Sequence, residues 1–312
     1  MAKHTLAEVR ERTYKSRDSW WTVFLVDPLA GRLVVWAANH TALTPNQVTF
    51  GAAVLGAGSA ACLVLGSWPW LFAGALLFHL SFVLDCVDGK LARLTGTGTV
   101  FGVWVDFILD RVRFFACMSA LLAGQWLATG DVLYLLLAPP VVFLDLMRYL
   151  NAAQVDTTRR VLHRRCRSPG ESPARPQHPN DALGAATQTG ADAIPEPSRD
   201  GPSAPPTDGG GTGADGSVPG PESSPLPTED RLRAALARHR VRPHLFSGIE
   251  FEMTVCVLAP ASALLWLFGL PNTIAVIVAA ACACLLLFEF VVVYRLWAHI
   301  RARSAEPRES RP

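Results

Sequence analysis

The sequence predicts an all-α integral membrane protein with six transmembrane helices, preceded by an N-terminal interfacial amphipathic helix. Apolar residues make up 50% of the 312 residues and charged residues only 17%, whereas soluble domains carry about 25% charged residues. Several apolar segments are also close to the length of about 20 residues that a helix needs to cross a bilayer. The formal net charge of +2 is too small to indicate nucleic acid as a partner.

Six apolar segments define the expected spans. They run over residues 48–65, 68–84, 103–127, 132–150, 249–267 and 273–296. The turns after the first, third and fifth segments contain no Lys or Arg, whereas the opposite helix ends are rich in both. The positive-inside rule therefore places both termini and the opposite ends in the cytoplasm. We expect a protein of the cell membrane whose charged helix ends face the cytoplasm.

Residues 19–40 precede these spans and read "SWWTVFLVDPLAGRLVVWAANH". Charged residues and a proline interrupt this apolar stretch, and tryptophans stand near both of its ends. This pattern favours a helix lying on the cytoplasmic face of the membrane. A seventh span is the alternative, and it would leave a basic N-terminus outside the cell, against the positive-inside rule.

The domain organisation follows from these segments and from one stretch of different composition. Residues 168–230 are rich in Pro and Gly and lack hydrophobic periodicity, so we expect disorder there. The basic stretches on either side, residues 156–167 and 228–242, resemble helical extensions at the membrane surface. Binding to anionic head groups is one interpretation of them, and ordinary solvated loops on the cytoplasmic side of the membrane are the alternative. The expected units are the N-terminus with its interfacial helix (1–43), spans one to four (44–150), a cytoplasmic insert (151–245), spans five and six (246–300) and a tail (301–312).

The end of the second span carries charges in "LDCVDGKLAR", residues 84–93. Asp85, Asp88, Gly89 and Ala92 follow the spacing i, i+3, i+4, i+7, which places them on one face of a helix. Ionisable residues in a span are candidates for a functional site. Gly89 has no Cβ and leaves space for a ligand.

The third span begins with "GVWVDFILDR", in which Asp106 and Asp110 also share a face. Because consecutive spans are antiparallel, both pairs of carboxylates lie at the same membrane surface and can converge. Like charges this close require a cation, and oxygen ligands select Mg²⁺ or Mn²⁺, which serve phosphate chemistry. The alternative is a set of buried salt bridges with the nearby cations Lys90, Arg93, Arg111 and Arg113. Salt bridges alone do not explain two carboxylate pairs at helical spacing.

These residues form the pattern Asp85-x2-Asp88-Gly89-x2-Ala92-Arg93-x8-Gly102-x3-Asp106-x3-Asp110. The pattern resembles the signature of the CDP-alcohol phosphotransferase family in all eight fixed residues and in every spacing. "TPNQVT", residues 44–49, also resembles the segment that opens the family's first span. The six-span layout and the interfacial helix agree with the family, and the 168–230 stretch has no counterpart in it.

The resemblance implies a transferase of phospholipid biosynthesis that moves a phosphate-linked group from a CDP-linked donor, such as CDP-diacylglycerol, to an alcohol and releases CMP. It implies that Mg²⁺ or Mn²⁺ binds Asp85, Asp88 and Asp106. Asp110 would be the general base and a further metal ligand. The implied CDP-binding residues are Asn46, Gly89, Ala92, Arg93 and Gly102. The resemblance also implies a homodimer.

The acceptor is less determined than the donor. Arg111 follows the last aspartate as "LDR", which resembles the inositol-type members, and glycerol phosphate is the other acceptor considered. The alternative for Arg111 is a basic anchor on the cytoplasmic side of the membrane. Residues suited to binding an acceptor phosphate are Arg113, Arg148 and Arg242. Glu250 and Glu252 begin the fifth span, where we expect pairing with an arginine rather than a free polar cavity.

Two other functions use similar carboxylates. An intramembrane Mg²⁺-dependent prenyltransferase would carry two aspartate motifs in separate halves of a longer bundle. A divalent-cation transporter would place its carboxylates near the bilayer midplane. Here the carboxylates form a single cluster at one membrane surface, which favours neither alternative.

Overall fold

The computed structural model describes residues 4–166, 240–242 and 246–305, and this part of the chain is helical apart from turns and one isolated β-bridge between Asp18 and Val241. The helices are α1 (Leu6–Thr13), α2 (Asp27–His40), α3 (Pro45–Leu63), α4 (Trp68–Thr95), α5 (Val100–Thr129), α6 (Leu133–Cys166), α7 (Gly248–Phe268) and α8 (Ile274–Ala305). A π-helical turn, Thr22–Val26, leads into α2. The expected all-α class is confirmed.

Four helical segments are long and apolar enough to cross a membrane: Trp68–Thr95, Leu133–Thr158, Gly248–Phe268 and Ile274–Ala298. They coincide with four of the six expected spans, which supports an integral membrane protein. α3 and α5 occupy the other two expected spans and are not among these four. Gly and Ala make up 8 of the 19 residues of α3, and α5 carries four charged residues near its start, namely Asp106, Asp110, Arg111 and Arg113.

The motif helix α4 packs against α3 along its length and also contacts α2 and α7. α3 packs on α5, and α6 packs on both α5 and α8. Phe78, Leu121 and Phe251, from α4, α5 and α7, are fully buried in one apolar core. α4 therefore has packed neighbours on several sides, and these fix the direction of the motif residues.

The turn between α4 and α5 brings the two halves of the motif together. α4 ends at Gly96, whose φ of 67° lies in the left-handed region that glycine adopts without strain. α5 begins at Thr99, whose hydroxyl accepts a hydrogen bond from the Gly102 N–H at 3.0 Å. This short connection places the first turns of α5 beside the last turns of α4.

α7 changes its hydrogen-bonding pattern along its length. It begins as an α-helix (Gly248–Met253), continues as a π-helical turn (Thr254–Leu258) and ends as a 3-10 helix (Ser262–Phe268). Pro260 has no backbone N–H to donate, so the regular ladder cannot continue through it. The α-helical first turn, which lies closest to the site described below, precedes this irregular part.

The helix that ends at His40 presents two different faces. Val26, Ala30 and Val34 are fully buried against the bundle, whereas Phe24 and Trp36 are each 54% exposed. An outward apolar face is the feature that an interfacial helix requires. The interfacial position of this segment stays a prediction.

The expected disorder at 168–230 falls outside the described residues. At the C-terminal end of the predicted insert, residues 240–242 are fixed to the N-terminal segment. The Asp18 N–H donates to the Arg240 carbonyl at 2.8 Å, and the Arg242 N–H donates to the Asp18 carbonyl at 3.0 Å. The Arg240 side chain also donates to the Lys15 carbonyl, with Nη2 at 2.6 Å. The two segments therefore meet beside α4.

Candidate active site

A cavity of about 860 Å³ lies between the C-terminal part of α4 and the start of α5. The motif residues in its wall are Asp85, Gly89, Ala92, Arg93, Asp106 and Asp110. The N-terminal segment adds Thr13, Lys15 and Asp18, and the opposite wall includes Arg148, Tyr149, Arg242 and Glu252. The cavity therefore combines carboxylates on one side with cationic groups around them.

Asp85, Asp88 and Asp106 form one group, in which each offers a carboxylate oxygen within 4.8 Å of the others. Asp88 is 4% exposed, and its Oδ2 accepts a hydrogen bond from Thr49 Oγ1 of α3 at 2.5 Å. Asp106 Oδ1 is buried and has no hydrogen-bond partner among the described residues. A buried carboxylate oxygen normally has a partner, and a divalent cation would supply one. The three side chains therefore fit a divalent cation that prefers oxygen ligands.

Asp110 lies outside this group of three and pairs with Arg113 on the next turn of α5. The same guanidinium donates to Asp85 Oδ1 at 3.2 Å. The carboxylates therefore cluster as expected, and two of the four also form salt bridges as the alternative proposed. Both interpretations therefore apply to this cluster, and Asp85 takes part in the group of three as well as in a salt bridge.

Two other cations of the motif, Lys90 and Arg93, are directed away from the motif aspartates. Lys90 Nζ lies 3.0 Å from Asp27 Oδ1, toward the N-terminal helix. Arg93 donates from Nη1 to the Thr13 carbonyl and from Nε to the Gly89 carbonyl, both at 2.9 Å. In the part of the chain that the structure describes, neither cation forms an ion pair with a motif aspartate. Arg93 thus keeps its position along the cavity wall.

Arg111 is held by two carboxylates at the edge of the cavity. Its Nη1 donates to both oxygens of Asp145, at 2.9 and 3.0 Å, and its Nη2 donates to Glu252 Oε1 at 2.7 Å. The guanidinium also lies 4.2 Å from the centre of the Tyr149 ring. The expected pairing of Glu252 with an arginine is confirmed. Glu250 instead accepts from the Ser247 hydroxyl at 2.6 Å and caps α7.

Arg148 also contacts Tyr149, with its guanidinium carbon 4.9 Å from the ring centre. A Cβ at Gly248 would overlap this guanidinium, so only glycine lets α7 begin this close to Arg148. Within the described residues Arg148 forms no ion pair, and its buried Nε has no hydrogen-bond partner. Arg148 is therefore a cation of the cavity with hydrogen-bonding capacity left for a ligand.

The structure separates the expected nucleotide-binding residues into two sets. Gly89, Ala92 and Arg93 lie in the cavity wall. Asn46 is exposed at the start of α3, and Gly102 lies in the first turn of α5; neither is part of the wall formed by the described residues. The nucleotide-binding roles of all five stay predictions.

Several residues that line the cavity or contact its wall and the aspartate group were not identified from the sequence. Asp145 could have been found, because "VVFLDLMRYL" places one carboxylate inside an apolar span. Thr49 and Lys15 carried no such signal, since each reaches the site only through the packing of separate segments. Burial lowers the pKa of Lys15, while nearby Asp18 opposes this effect.

Comparison with known proteins identifies the motif region. Residues 42–165 match the family model of CDP-alcohol phosphatidyltransferase. The chain is 44% identical over 78 residues to the bifunctional IPC transferase and DIPP synthase of Aquifex aeolicus, covering 25% of this chain and 17% of that protein. It is 34% identical over 98 residues to the phosphatidylinositol phosphate synthase of Corynebacterium glutamicum, covering 31% and 41%. With the phosphatidylinositol phosphate synthase of Mycobacteroides abscessus it is 36% identical over 107 residues, covering 34% and 44%. The chain spans less than half the length of each of these relatives.

Proposed function

We propose, from the premise that residues 42–165 form a CDP-alcohol phosphatidyltransferase domain, that the chain transfers a phosphatidyl-type group from a CDP-linked donor to an alcohol. CDP-diacylglycerol is the donor that suits a membrane enzyme of phospholipid biosynthesis. The observation that carries this proposal is the group of Asp85, Asp88 and Asp106 beside a cavity whose wall also contains Asp110.

The four carboxylates have two different roles in this reaction. Asp85, Asp88 and Asp106 would hold the divalent ion, which when bound neutralises pyrophosphate charge and stabilises the departing oxygen. Asp110 accepts the proton of the acceptor hydroxyl. The hydroxyl oxygen then forms a bond to the lipid-linked phosphorus, the bond from that phosphorus to the CMP oxygen breaks, and CMP leaves with the electron pair.

The donor nucleotide would lie along α4. Gly89 and Ala92 present little side chain to the cavity, and Arg93 supplies a cation beside them. A Cβ at Gly89 would lie 3.6 Å from Arg93 Nη2, an ordinary contact. The chain itself therefore does not demand glycine there, and close approach of a ligand would explain it. Asn46 and Gly102 would contact the nucleotide from the edge of the cavity.

We assign the acceptor as an inositol phosphate. Two of the relatives compared above are named for phosphatidylinositol phosphate synthesis. Arg148, Arg242 and Lys15 line the cavity and would face an acceptor phosphate. Arg111 is already held by Asp145 and Glu252, so its contribution is to fix the wall rather than to bind the acceptor.

The membrane arrangement completes the proposal. α3 and α5 would cross the membrane beside the four apolar helices, giving six spans with both termini and the cavity in the cytoplasm. Epitope tags at the two termini test this arrangement by protease protection. In sealed right-side-out vesicles both tags should resist protease until the membrane is opened, and cleavage of either tag before opening would contradict the topology.

CMP release tests the activity. Purified protein should release CMP from CDP-diacylglycerol only with Mg²⁺ or Mn²⁺ and an acceptor, and Asp110→Asn should abolish release. Asp131→Asn is the matched control, because Asp131 is exposed in the turn before α6, where it caps the backbone of Leu133. Wild-type release by Asp110→Asn would refute the assigned base. No release by the wild-type protein from any CDP-alcohol in a panel of donors would refute the activity.

A further inference from the structure

Arg113 enters the carboxylate group from the core side of the cavity. Its side chain is 7% exposed, and its two terminal nitrogens contact different aspartates. Nη1 donates to Asp85 Oδ1 at 3.2 Å, and Nη2 donates to Asp110 Oδ1. One guanidinium therefore joins the first and last aspartates of the motif.

Two neighbouring helices, α3 and α4, are shaped to hold this side chain. A Cβ at Gly56 of α3 would lie 2.9 Å from Arg113 Cγ and 3.0 Å from Cδ, closer than packed atoms normally lie. On α4, the fully buried Ser81 hydroxyl accepts from Nη1 at 3.3 Å, and the Phe78 ring centre lies 5.8 Å from the guanidinium carbon. Arg113 is therefore a fixed part of the site rather than a mobile surface cation.

This position divides the four carboxylates. Asp85, Asp88 and Asp106 each offer an oxygen within 4.8 Å of the others, whereas Asp110 lies outside this group and pairs with the guanidinium. Arginine stays charged at any physiological pH. A second divalent ion between Asp85 and Asp110 would have to lie next to that charge, and repulsion between like charges is strong where little water screens them.

We propose that Arg113 takes the place of a second metal ion, so that the protein binds one divalent ion on Asp85, Asp88 and Asp106 while the guanidinium neutralises and positions Asp110. The inference rests on the proposed function for the reaction that this arrangement serves. The number of ions bound, however, is a property of the protein without substrate. Arg113 is a positioning residue in this account, and Asp110 is the base without being a metal ligand.

The test is Mn²⁺ binding to the purified full-length protein in detergent, measured by electron paramagnetic resonance of the free ion. We expect one Mn²⁺ per chain for the wild-type protein, one for Asp110→Asn, and none at the same concentration for Asp88→Asn. Arg113→Met should bind two, and Arg113→Met with Asp110→Asn should return to one. Arg113→Lys, which keeps a cation, should bind one.

Three results would overturn the inference: two ions bound by the wild-type protein, loss of the ion in Asp110→Asn, or a single ion in folded Arg113→Met. If Arg113→Met elutes as aggregate on size exclusion, the wild-type and Asp110→Asn measurements decide the question. These measurements need no substrate. A protein that binds one Mn²⁺ and releases no CMP would therefore refute the proposed function alone.

Discussion

Lys90 Nζ lies 3.0 Å from Asp27 Oδ1, so the lysine in the middle of the aspartate motif faces the N-terminal helix rather than the metal-binding group. Both side chains are only 6% exposed. Asp27 also pairs at 3.3 Å with Arg240, which lies near the C-terminal end of the predicted insert. These ion pairs join α4 to the N-terminal part of the chain, which contributes Thr13, Lys15 and Asp18 to the cavity wall.

Loss of Lys90 should therefore act on stability. Lys90→Met removes one partner of a buried ion pair, which costs about 3–5 kcal/mol of unfolding free energy, and we expect the lower end because Arg240 remains beside Asp27. Denaturation in mixed micelles measures the change. Arg12→Met is the control, because Arg12 pairs with Glu8 at the surface, with the Arg12 side chain 61% exposed, and should cause no measurable change. Equal losses in both variants would show that the Lys90 pair has no special structural role.

Arg148 should determine affinity for the acceptor. Removing a charge-assisted hydrogen bond costs about 1.5–3 kcal/mol, so we expect Arg148→Gln to raise the KM for inositol phosphate about 10- to 100-fold. The KM for the CDP-linked donor should change little. Arg160→Gln is the control on the same helix, where Arg160 is exposed and pairs with Asp156. A rise in the donor KM instead would move Arg148 to the nucleotide side of the cavity.

Gly248 should act through Arg148. In Gly248→Ala the new Cβ must displace the guanidinium, so we expect the acceptor KM to rise as in Arg148→Gln. Gly58→Ala is the matched control, since a Cβ there would meet Leu77 at 3.6 Å, an ordinary contact. Unchanged acceptor kinetics in folded Gly248→Ala would mean that the position of Arg148 does not matter for binding.

Thr49 should support the metal site through Asp88. Thr49→Val removes the hydroxyl that donates to Asp88 Oδ2, and loss of a hydrogen bond to a metal ligand typically weakens metal affinity by 10- to 100-fold. Titration with Mn²⁺ measures this change. Thr157→Val removes a hydroxyl that bonds only to the backbone of its own helix among the described residues, and should leave affinity unchanged. Equal affinities in the two variants would remove Thr49 from the support of the site.

Local spacing predicted much of the site. Asp85, Asp88, Gly89 and Ala92 were placed on one helix face. Three of them line the cavity, and Asp88 is buried beside Thr49 instead. Residue spacing along one helix could not predict contacts between different helices. Arg111 meets Glu252 across 141 positions of sequence, and such a pair depends on how α5 and α7 approach each other. The hydrogen bond between Thr49 and Asp88 likewise depends on how α3 packs against α4.

Hydropathy predicted the four segments that are apolar enough to cross a membrane, but not where their helices end. The fourth span was expected to end at residue 150 with a separate helical extension over the basic residues after it, whereas α6 continues without a break to Cys166. The length of an apolar segment indicates how much of a helix lies within the hydrocarbon layer. The helix itself can continue into water as a polar segment. Pro139 and Pro140 lie inside α6, and prolines are tolerated in membrane helices when neighbouring groups satisfy the freed carbonyls.

The most direct test of the central claim is the lipid product of the purified protein. Supplied with CDP-diacylglycerol, Mg²⁺ and inositol phosphate, the protein should produce phosphatidylinositol phosphate, identified by mass spectrometry, with one CMP released for each lipid formed. Glycerol phosphate in place of inositol phosphate should give little product. A product carrying only glycerol phosphate would contradict the assigned acceptor, and the absence of any new lipid together with the absence of CMP would contradict the transferase itself.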